Sequence, residues 1–110
     1  MDFEIITTPN FEREAKALQK RYPSFKSDLI ALTEVLLNNP MQGVEVYKNC
    51  FKVRFSIKSK GRGKSGGGRL ITYVKIMNKR IYLLSVFDKS ERESVSDTFL
   101  RQLLADLDEC

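Results

Sequence analysis

The chain has 110 residues, of which 42% are hydrophobic and 30% charged, and its net charge is +5. This length allows one hydrophobic core, so we expect residues 1–110 to form a single domain. The apolar content excludes a disordered chain, no apolar run is long enough for a membrane span, and the acidic N-terminus does not resemble a secretory signal. We therefore expect a cytoplasmic protein with no membrane partner.

The first 40 residues predict one strand and two helices. β-branched and aromatic residues at positions 3–7 indicate a short strand. Asn10 is expected to open a helix that ends at Pro23, and Ser24 is expected to open a second helix that ends before Pro40. Spacings of three and four give each helix one buried face, formed by Phe11, Ala15, Leu18 and Tyr22 in the first and by Phe25, Leu29, Leu32 and Leu36 in the second.

From Gly43 onward the apolar residues follow a period of two, which predicts strands. Positions 51–58 alternate strictly between apolar residues and residues that are basic or serine. Positions 69–76 and 80–87 indicate two further strands joined by a short turn, so the sheet is expected to be mainly antiparallel. The basic side chains expected on the exposed face of the first of these strands are Lys52, Arg54 and Lys58.

A C-terminal helix is predicted after the last strand. Ser90 and Glu93 have the spacing of a capping box, and apolar residues at steps of four run as far as Leu107. On this interpretation Asp88, Glu91 and Glu93 are acids at the first turn of a helix, where they stabilise its dipole. The order strand, two helices, three strands and helix predicts an α+β domain with segregated helices.

The positive charge is concentrated in one third of the chain. Residues 45–80 contain eleven basic side chains and one acidic side chain, whereas residues 1–44 and 81–110 are both net negative. Such a concentration is typical of a site for nucleic acid or another polyanion. The alternative is a solvated basic face that serves only solubility.

The loop Gly61–Gly68 contains five glycines together with Arg62 and Lys64. It includes the Gly-Lys-Ser of a P-loop, but Lys58 stands where a P-loop needs its first glycine, and a strand rather than a helix follows. Two interpretations stay open. The loop either brings its backbone close to phosphates or is a plain flexible connection.

The residues available for catalysis are restricted, because the chain has no histidine and only two cysteines, Cys50 and Cys110. Zinc binding and histidine-assisted nucleophiles are therefore excluded, and we expect no metal, no cofactor and two free thiols. A nuclease of this composition would depend on Lys, Arg, Tyr or carboxylates. Lys52, Arg54 and Arg69 are the best candidates for stabilising charge on a phosphate. The same cluster would equally suit binding without cleavage.

Five motifs occur in order along nearly the whole chain. They are Phe11-x-Arg13-Glu14, Asn39-Pro40-x-x-Gly43, Phe51-Lys52-Val53-Arg54, the run from Lys60 to Ile71, and Tyr82-Leu83-Leu84-x-x-x-Asp88-Lys89-Ser90-Glu91. Together they resemble the RelE/ParE superfamily of toxins, and most closely its HigB-like branch. The resemblance implies a RelE-like fold and the toxin of a type II toxin–antitoxin system. Such a toxin cleaves messenger RNA in the ribosomal A site by attack of the ribose 2′-hydroxyl, without a metal.

The resemblance also implies roles for individual residues. Lys52 would be the general base or its electrostatic equivalent, and Lys89 would protonate the leaving 5′-oxygen. Arg54 and Arg69 would stabilise the pentavalent phosphate. The implied partners are an antitoxin, messenger RNA and the ribosome, with operator DNA contacted only through the antitoxin complex. The residues expected to bind RNA are Lys58, Lys60, Arg62, Lys64 and Tyr73.

The sequence departs from the family pattern at Ser90 and Ser96, where RelE toxins have an arginine and a tyrosine. The general acid and the base-stacking residue therefore stay open, with Tyr73 and Tyr82 as candidate substitutes. Two other functions are also compatible with the fold: a ParE-like toxin that inhibits DNA gyrase, and a non-catalytic nucleic-acid-binding protein. The three basic residues at the catalytic positions favour the nuclease.

Overall fold

The computed structural model describes residues 2–107, and Cys110 lies outside this range. The elements are β1 (Glu4–Thr7), α1 (Pro9–Arg21), α2 (Phe25–Asn38), β2 (Val44–Tyr47), β3 (Cys50–Phe55), a 3₁₀ turn (Lys58–Lys60), β4 (Gly68–Lys75), a second 3₁₀ turn (Ile76–Asn78), β5 (Arg80–Asp88) and α3 (Asp97–Ala105). The predicted α+β architecture is confirmed. Within the described range, none of the helices combines the length and the apolar character that crossing a membrane requires.

The strands form one sheet in the order β1-β5-β4-β3-β2. β1 runs parallel to β5, and the other neighbours are antiparallel, as predicted. The prediction of three strands after the two helices is wrong, because β2 is a fourth. β2 has only four residues, and only Lys48 and Asn49 separate it from β3, so its pattern is too short to mark a separate strand. It pairs irregularly with β3 between Glu45 and Tyr47.

Different helices cover the two faces of the sheet. α1 and α2 pack on one face, where their apolar stripes meet side chains of the three central strands: Val53, Phe55, Leu70, Ile81, Leu83 and Val86. α3 packs on the other face, against Cys50, Ile71, Tyr82, Leu84 and Phe87. Each aliphatic side chain buried in these layers contributes about 1.5–3 kcal/mol. The face predicted to be exposed is therefore covered at one end by α3 and carries basic residues at the other.

Helix α1 begins one residue earlier than predicted. Thr8 caps it by accepting a hydrogen bond from the backbone N–H of Phe11 at 3.3 Å, and Pro9 occupies the first helical position, where a backbone N–H is not needed. The Thr8 hydroxyl also donates to the carbonyl of Leu83 at 2.8 Å. This cap therefore fixes α1 against β5.

Helix α3 begins later than predicted, and the capping box at Ser90 does not form. Ser90 is held at the end of β5 instead, because its N–H and its hydroxyl both donate to Asp88, at 2.9 and 2.8 Å. Ser96 caps the helix by accepting from the N–H of Phe99 at 3.0 Å. The interpretation of Asp88, Glu91 and Glu93 as acids in the first helical turn is therefore wrong. Asp97 has that place.

The prediction that Lys58 extends the basic face of the strand is also wrong. β3 ends at Phe55, and Lys58 begins the 3₁₀ turn that follows. The turn forms there because the Asp28 carboxylate of α2 accepts the backbone N–H of Lys58 at 3.0 Å. The apolar alternation itself is confirmed at Phe51, Val53 and Phe55, which are all buried.

Candidate active site

Strand pairing places Lys52, Arg54 and Arg69 on one face of the sheet. Arg54 of β3 is directly opposite Arg69 of β4, and Lys52 is opposite Ile71. Because opposed residues in an antiparallel pair project to the same side, these three basic side chains belong to the face that α3 only partly covers. Arg54 is exposed and Lys52 is half-buried.

Arg69 is buried, with 1% of its surface exposed, and its guanidinium bonds to the glycine-rich loop. One terminal nitrogen, Nη1, donates to the carbonyls of Lys64 and Gly68, both at 3.0 Å, and Nη2 donates to the carbonyl of Ser65 at 3.2 Å. The third nitrogen, Nε, has no hydrogen-bond acceptor among the residues described. Arg69 thus fixes the loop and keeps one buried donor for another acceptor.

The end of the glycine-rich loop is packed against β3. A Cβ atom at Gly67 would lie 2.3 Å from the carbonyl oxygen of Phe55, and one at Gly68 would lie 2.4 Å from the Phe55 ring. Both positions need glycine because no side chain fits there. The interpretation of the whole segment as a plain flexible connection therefore does not hold for Gly67 and Gly68, whereas Arg62 and Lys64 are exposed.

Asp88 anchors the same loop from the end of β5. It is fully buried and accepts hydrogen bonds from Lys60 Nζ at 2.6 Å, from Arg21 Nη2 at 3.1 Å and from the Tyr22 hydroxyl. Burial alone would raise the pKa of Asp88, but the hydrogen bonds from Lys60, Tyr22 and Ser90 outweigh it, so the pKa lies well below its ordinary value. Lys60 also donates to the carbonyl of Gly66 at 2.7 Å. The ammonium group of Lys60, predicted to bind RNA, is therefore committed to the loop and to Asp88.

Glu93 brings together three of the four residues predicted to be catalytic. Its carboxylate lies 3.6 Å from Lys52 Nζ, 3.6 Å from Arg69 Nε and 3.8 Å from Lys89 Nζ. Partial desolvation would raise the pKa of Glu93, but the charges of Arg69, Lys52 and Lys89 lower it below its ordinary value. Sequence reasoning assigned Glu93 to a helix cap. The one feature of the sequence that indicated an ion pair is that Glu93 follows Lys89 by four residues.

Six of the residues predicted to bind RNA or to act in catalysis line two cavities. Lys60, Arg62 and Lys89 line a cavity of about 280 Å³ beside Gly66 and Ser90. Arg54, Lys58 and Lys64 line a second cavity of about 170 Å³, which lies against the apolar side chains of α2. Arg54 thus shares a face with Lys52 and Arg69, but it makes no ion pair with Glu93 among the contacts of the described chain.

Tyr73 lies apart from these basic residues. It pairs with Cys50, two residues along β4 from the partner of Lys52, and its ring centre is 5.8 Å from that of Tyr82. A cavity of about 560 Å³ beside α3 has Tyr73 and Tyr47 in its wall. Tyr82 is buried and accepts a hydrogen bond from Arg80. Tyr73 is thus the better placed of the two candidate substitutes for a base-stacking residue.

Cationic side chains held around one anion can stabilise the charge that develops on a phosphate. Between residues 2 and 107, no three His, Cys, Asp or Glu side chains come together in a way that would hold a metal ion. The free thiol of Cys50 is buried, and its pKa rises to about 11 because of burial and, secondarily, the charge of Glu45. The cationic groups at this face are Lys52, Arg54, Arg69 and Lys89.

The five-stranded sheet has two helices on one face and one helix with a basic region on the other, which defines an α+β domain. It is similar to the structure of an E. coli RelE toxin variant in the free state, with two arginines replaced by alanine, at a TM-score of 0.63, 14% identity, and coverage of 97% of this chain and 99% of that one. It is also similar to the isolated E. coli RelE toxin, at a TM-score of 0.56, 17% identity, and coverage of 97% and 100%. No protein-family model matches the sequence. The predicted RelE-like fold is confirmed, and the HigB-like branch stays a prediction.

Proposed function

We propose that this chain is the toxin of a type II toxin–antitoxin system and that it cleaves messenger RNA on the ribosome. The observation that carries the proposal is the convergence of Lys52, Arg69 and Lys89 on one half-exposed carboxylate, at the face of the sheet that α3 only partly covers. An anion site made only of lysine and arginine suits attack by the ribose 2′-hydroxyl on the adjacent phosphate, a reaction that needs no metal.

The proposed roles are those that the family resemblance implies. Lys52 acts as the base or its electrostatic equivalent, and Lys89 donates the proton to the leaving oxygen. Arg54 and the Nε of Arg69 stabilise the pentavalent phosphate. The exposed residues Lys58, Arg62 and Lys64 contact the RNA backbone, Tyr73 provides a stacking surface, and Lys60 acts by holding the loop.

The proposed partners are messenger RNA, the ribosome and a cognate antitoxin, in the cytoplasm. Operator DNA would be contacted only through the complex with the antitoxin. An acidic antitoxin segment would complement residues 45–80, which contain eleven basic side chains and one acidic side chain. The HigB-like branch is the proposed place of this toxin within the superfamily.

Cleavage of messenger RNA on translating ribosomes tests the proposal. We expect the wild-type protein to cut ribosome-bound messenger and to leave naked RNA largely intact. Lys52→Ala and Arg54→Ala should each lower the cleavage rate about 10²- to 10³-fold, because each removes a group that stabilises the transition state. Lys26→Ala, an exposed lysine of α2, is the matched control and should cleave at the wild-type rate.

A non-catalytic nucleic-acid-binding protein is the second candidate. It is favoured by the structural roles of Ser90 and Ser96, which stand where the family resemblance implies an arginine and a tyrosine. Wild-type protein that binds ribosomes but leaves messenger intact would support this candidate and contradict the nuclease. Inhibition of gyrase supercoiling in place of cleavage would instead support a ParE-like toxin.

A further inference from the structure

The Glu93 carboxylate lies where an anionic ligand of this face would bind. Lys52 contacts it from β3, Arg69 from β4 and Lys89 from the end of β5, all within 3.8 Å. Three positive charges therefore surround one negative charge. A phosphodiester has the same single negative charge as this carboxylate, so it can replace Glu93 without changing the net charge of the cluster.

The contact between Arg69 and Glu93 leaves a donor unsatisfied. Arg69 Nε lies 3.6 Å from the carboxylate, beyond hydrogen-bonding distance, and has no other acceptor in the described structure. The terminal nitrogens of Arg69 are fixed by loop carbonyls, so the guanidinium cannot turn towards Glu93. A buried donor without an acceptor is unfavourable, because it has lost its hydrogen bonds to water and gained none in the protein. The site is thus better suited to a ligand whose oxygen approaches Nε more closely.

Glu93 can leave the site without a change in the backbone. The preceding residue, Arg92, is held by an ion pair to Glu14 at 2.5 Å and by its position 4.4 Å above the ring of Phe87. The backbone carbonyl of Glu93 accepts a hydrogen bond from Lys52 at 3.2 Å. The Glu93 side chain, in contrast, is 56% exposed, so rotation about its own bonds is enough to free the cations.

We propose that Glu93 occupies the phosphate site of the free protein and rotates out when the RNA backbone binds between Lys52, Arg69 and Lys89. The carboxylate keeps three like charges together in the absence of RNA and competes with RNA for them. This inference rests on the proposed function, because it assigns the ligand of that same site. It predicts that Glu93→Gln, which removes the competing charge, strengthens anion binding.

Inorganic phosphate is the probe, and thermal unfolding measured against its concentration at constant ionic strength and pH 7.5 is the readout. We expect Glu93→Gln to bind phosphate about three- to tenfold more tightly than the wild type, the change expected on removing the charge of a half-exposed carboxylate that pairs with three cations. Glu93→Ala should give the same direction. Glu91→Gln is the matched control, since Glu91 is 53% exposed and pairs with Arg21 outside the cluster.

Equal or weaker phosphate binding by Glu93→Gln, relative to the wild type and Glu91→Gln, would overturn the inference. Ribosome-dependent cleavage, measured with the same proteins, distinguishes a failure of this inference from a failure of the proposed function. Cleavage by the wild type without a gain in phosphate binding contradicts only the role of Glu93. A gain in phosphate binding without cleavage by any of the proteins supports the role of Glu93 and contradicts the nuclease.

Discussion

At the residue scale, Arg69 joins the glycine-rich loop to the basic face. Its buried guanidinium bonds to the carbonyls of Lys64, Ser65 and Gly68. Arg69→Ala should lower the free energy of unfolding by about 2–4 kcal/mol, because these hydrogen bonds are lost and a cavity remains. Arg69→Lys should recover part of the loss, since one ammonium group cannot reach the same carbonyls. Thermal melting measures both effects.

Arg54→Ala is the control for Arg69→Ala, because Arg54 is directly opposite Arg69 in the neighbouring strand. Arg54 is exposed and pairs with Arg69 in the sheet, so Arg54→Ala should change stability by no more than about 0.5 kcal/mol. An Arg69→Ala protein that melts at the wild-type temperature would show that the loop does not need the guanidinium. Because Arg69→Ala is expected to disturb the fold, a loss of cleavage in that variant has to be judged beside its melting curve.

At the element scale, α3 begins only after Ser96, so Glu93 lies before the helix, in the segment that contacts Lys52. Ser96 is the cap, so Ser96→Ala should destabilise the protein by about 1 kcal/mol. Ser94 lies two residues earlier, is exposed and precedes the helix, so Ser94→Ala should change stability by less than about 0.5 kcal/mol. Denaturant unfolding of the two variants provides the comparison. Equal stability of both would place the helix start elsewhere.

The sequence predicted α1, α2 and the three longer strands because their apolar periods extend over several turns or residue pairs. It missed β2, because only two residues separate this short strand from β3. It placed the start of α3 at Ser90 because the capping-box pattern cannot show that Asp88 already binds that serine. The shared face of Lys52 and Arg54 followed from alternation. The sequence did not predict the burial of Arg69 or the contacts of Glu93 with Lys52 and Arg69, because these depend on segments far apart in the chain.

At the scale of the whole molecule, the basic segment 45–80 offers fewer free charges to RNA than its composition suggests. In the free protein Lys60 is committed to Asp88, and Lys52 and Arg69 are committed to Glu93. Four exposed basic residues lie on β3, the first 3₁₀ turn and the glycine-rich loop: Arg54, Lys58, Arg62 and Lys64. If these four residues contact phosphates, the logarithm of the affinity for single-stranded RNA should fall with the logarithm of the salt concentration with a slope of about −3. Fluorescence anisotropy across a salt series measures this slope.

Variants at single positions show which lysines cause the salt dependence. Lys64→Ala should reduce the steepness of the slope by about 0.7, the contribution of one phosphate contact to a single strand. Lys16→Ala, an exposed lysine of α1, should leave it unchanged. A slope near zero for the wild type would contradict RNA binding through the basic face.

The parallel pairing of β1 with β5 has a consequence for folding during synthesis. Glu4 pairs with Arg80 and Thr7 with Leu83, so the first strand made is joined to the last. Until β5 emerges during synthesis, β1 has no neighbour in the sheet, and the Thr8 hydroxyl has no Leu83 carbonyl to bind. Contacts so distant in sequence are closed late and slowly. A nascent chain should therefore be unable to complete its sheet until residues 80–88 have left the exit tunnel.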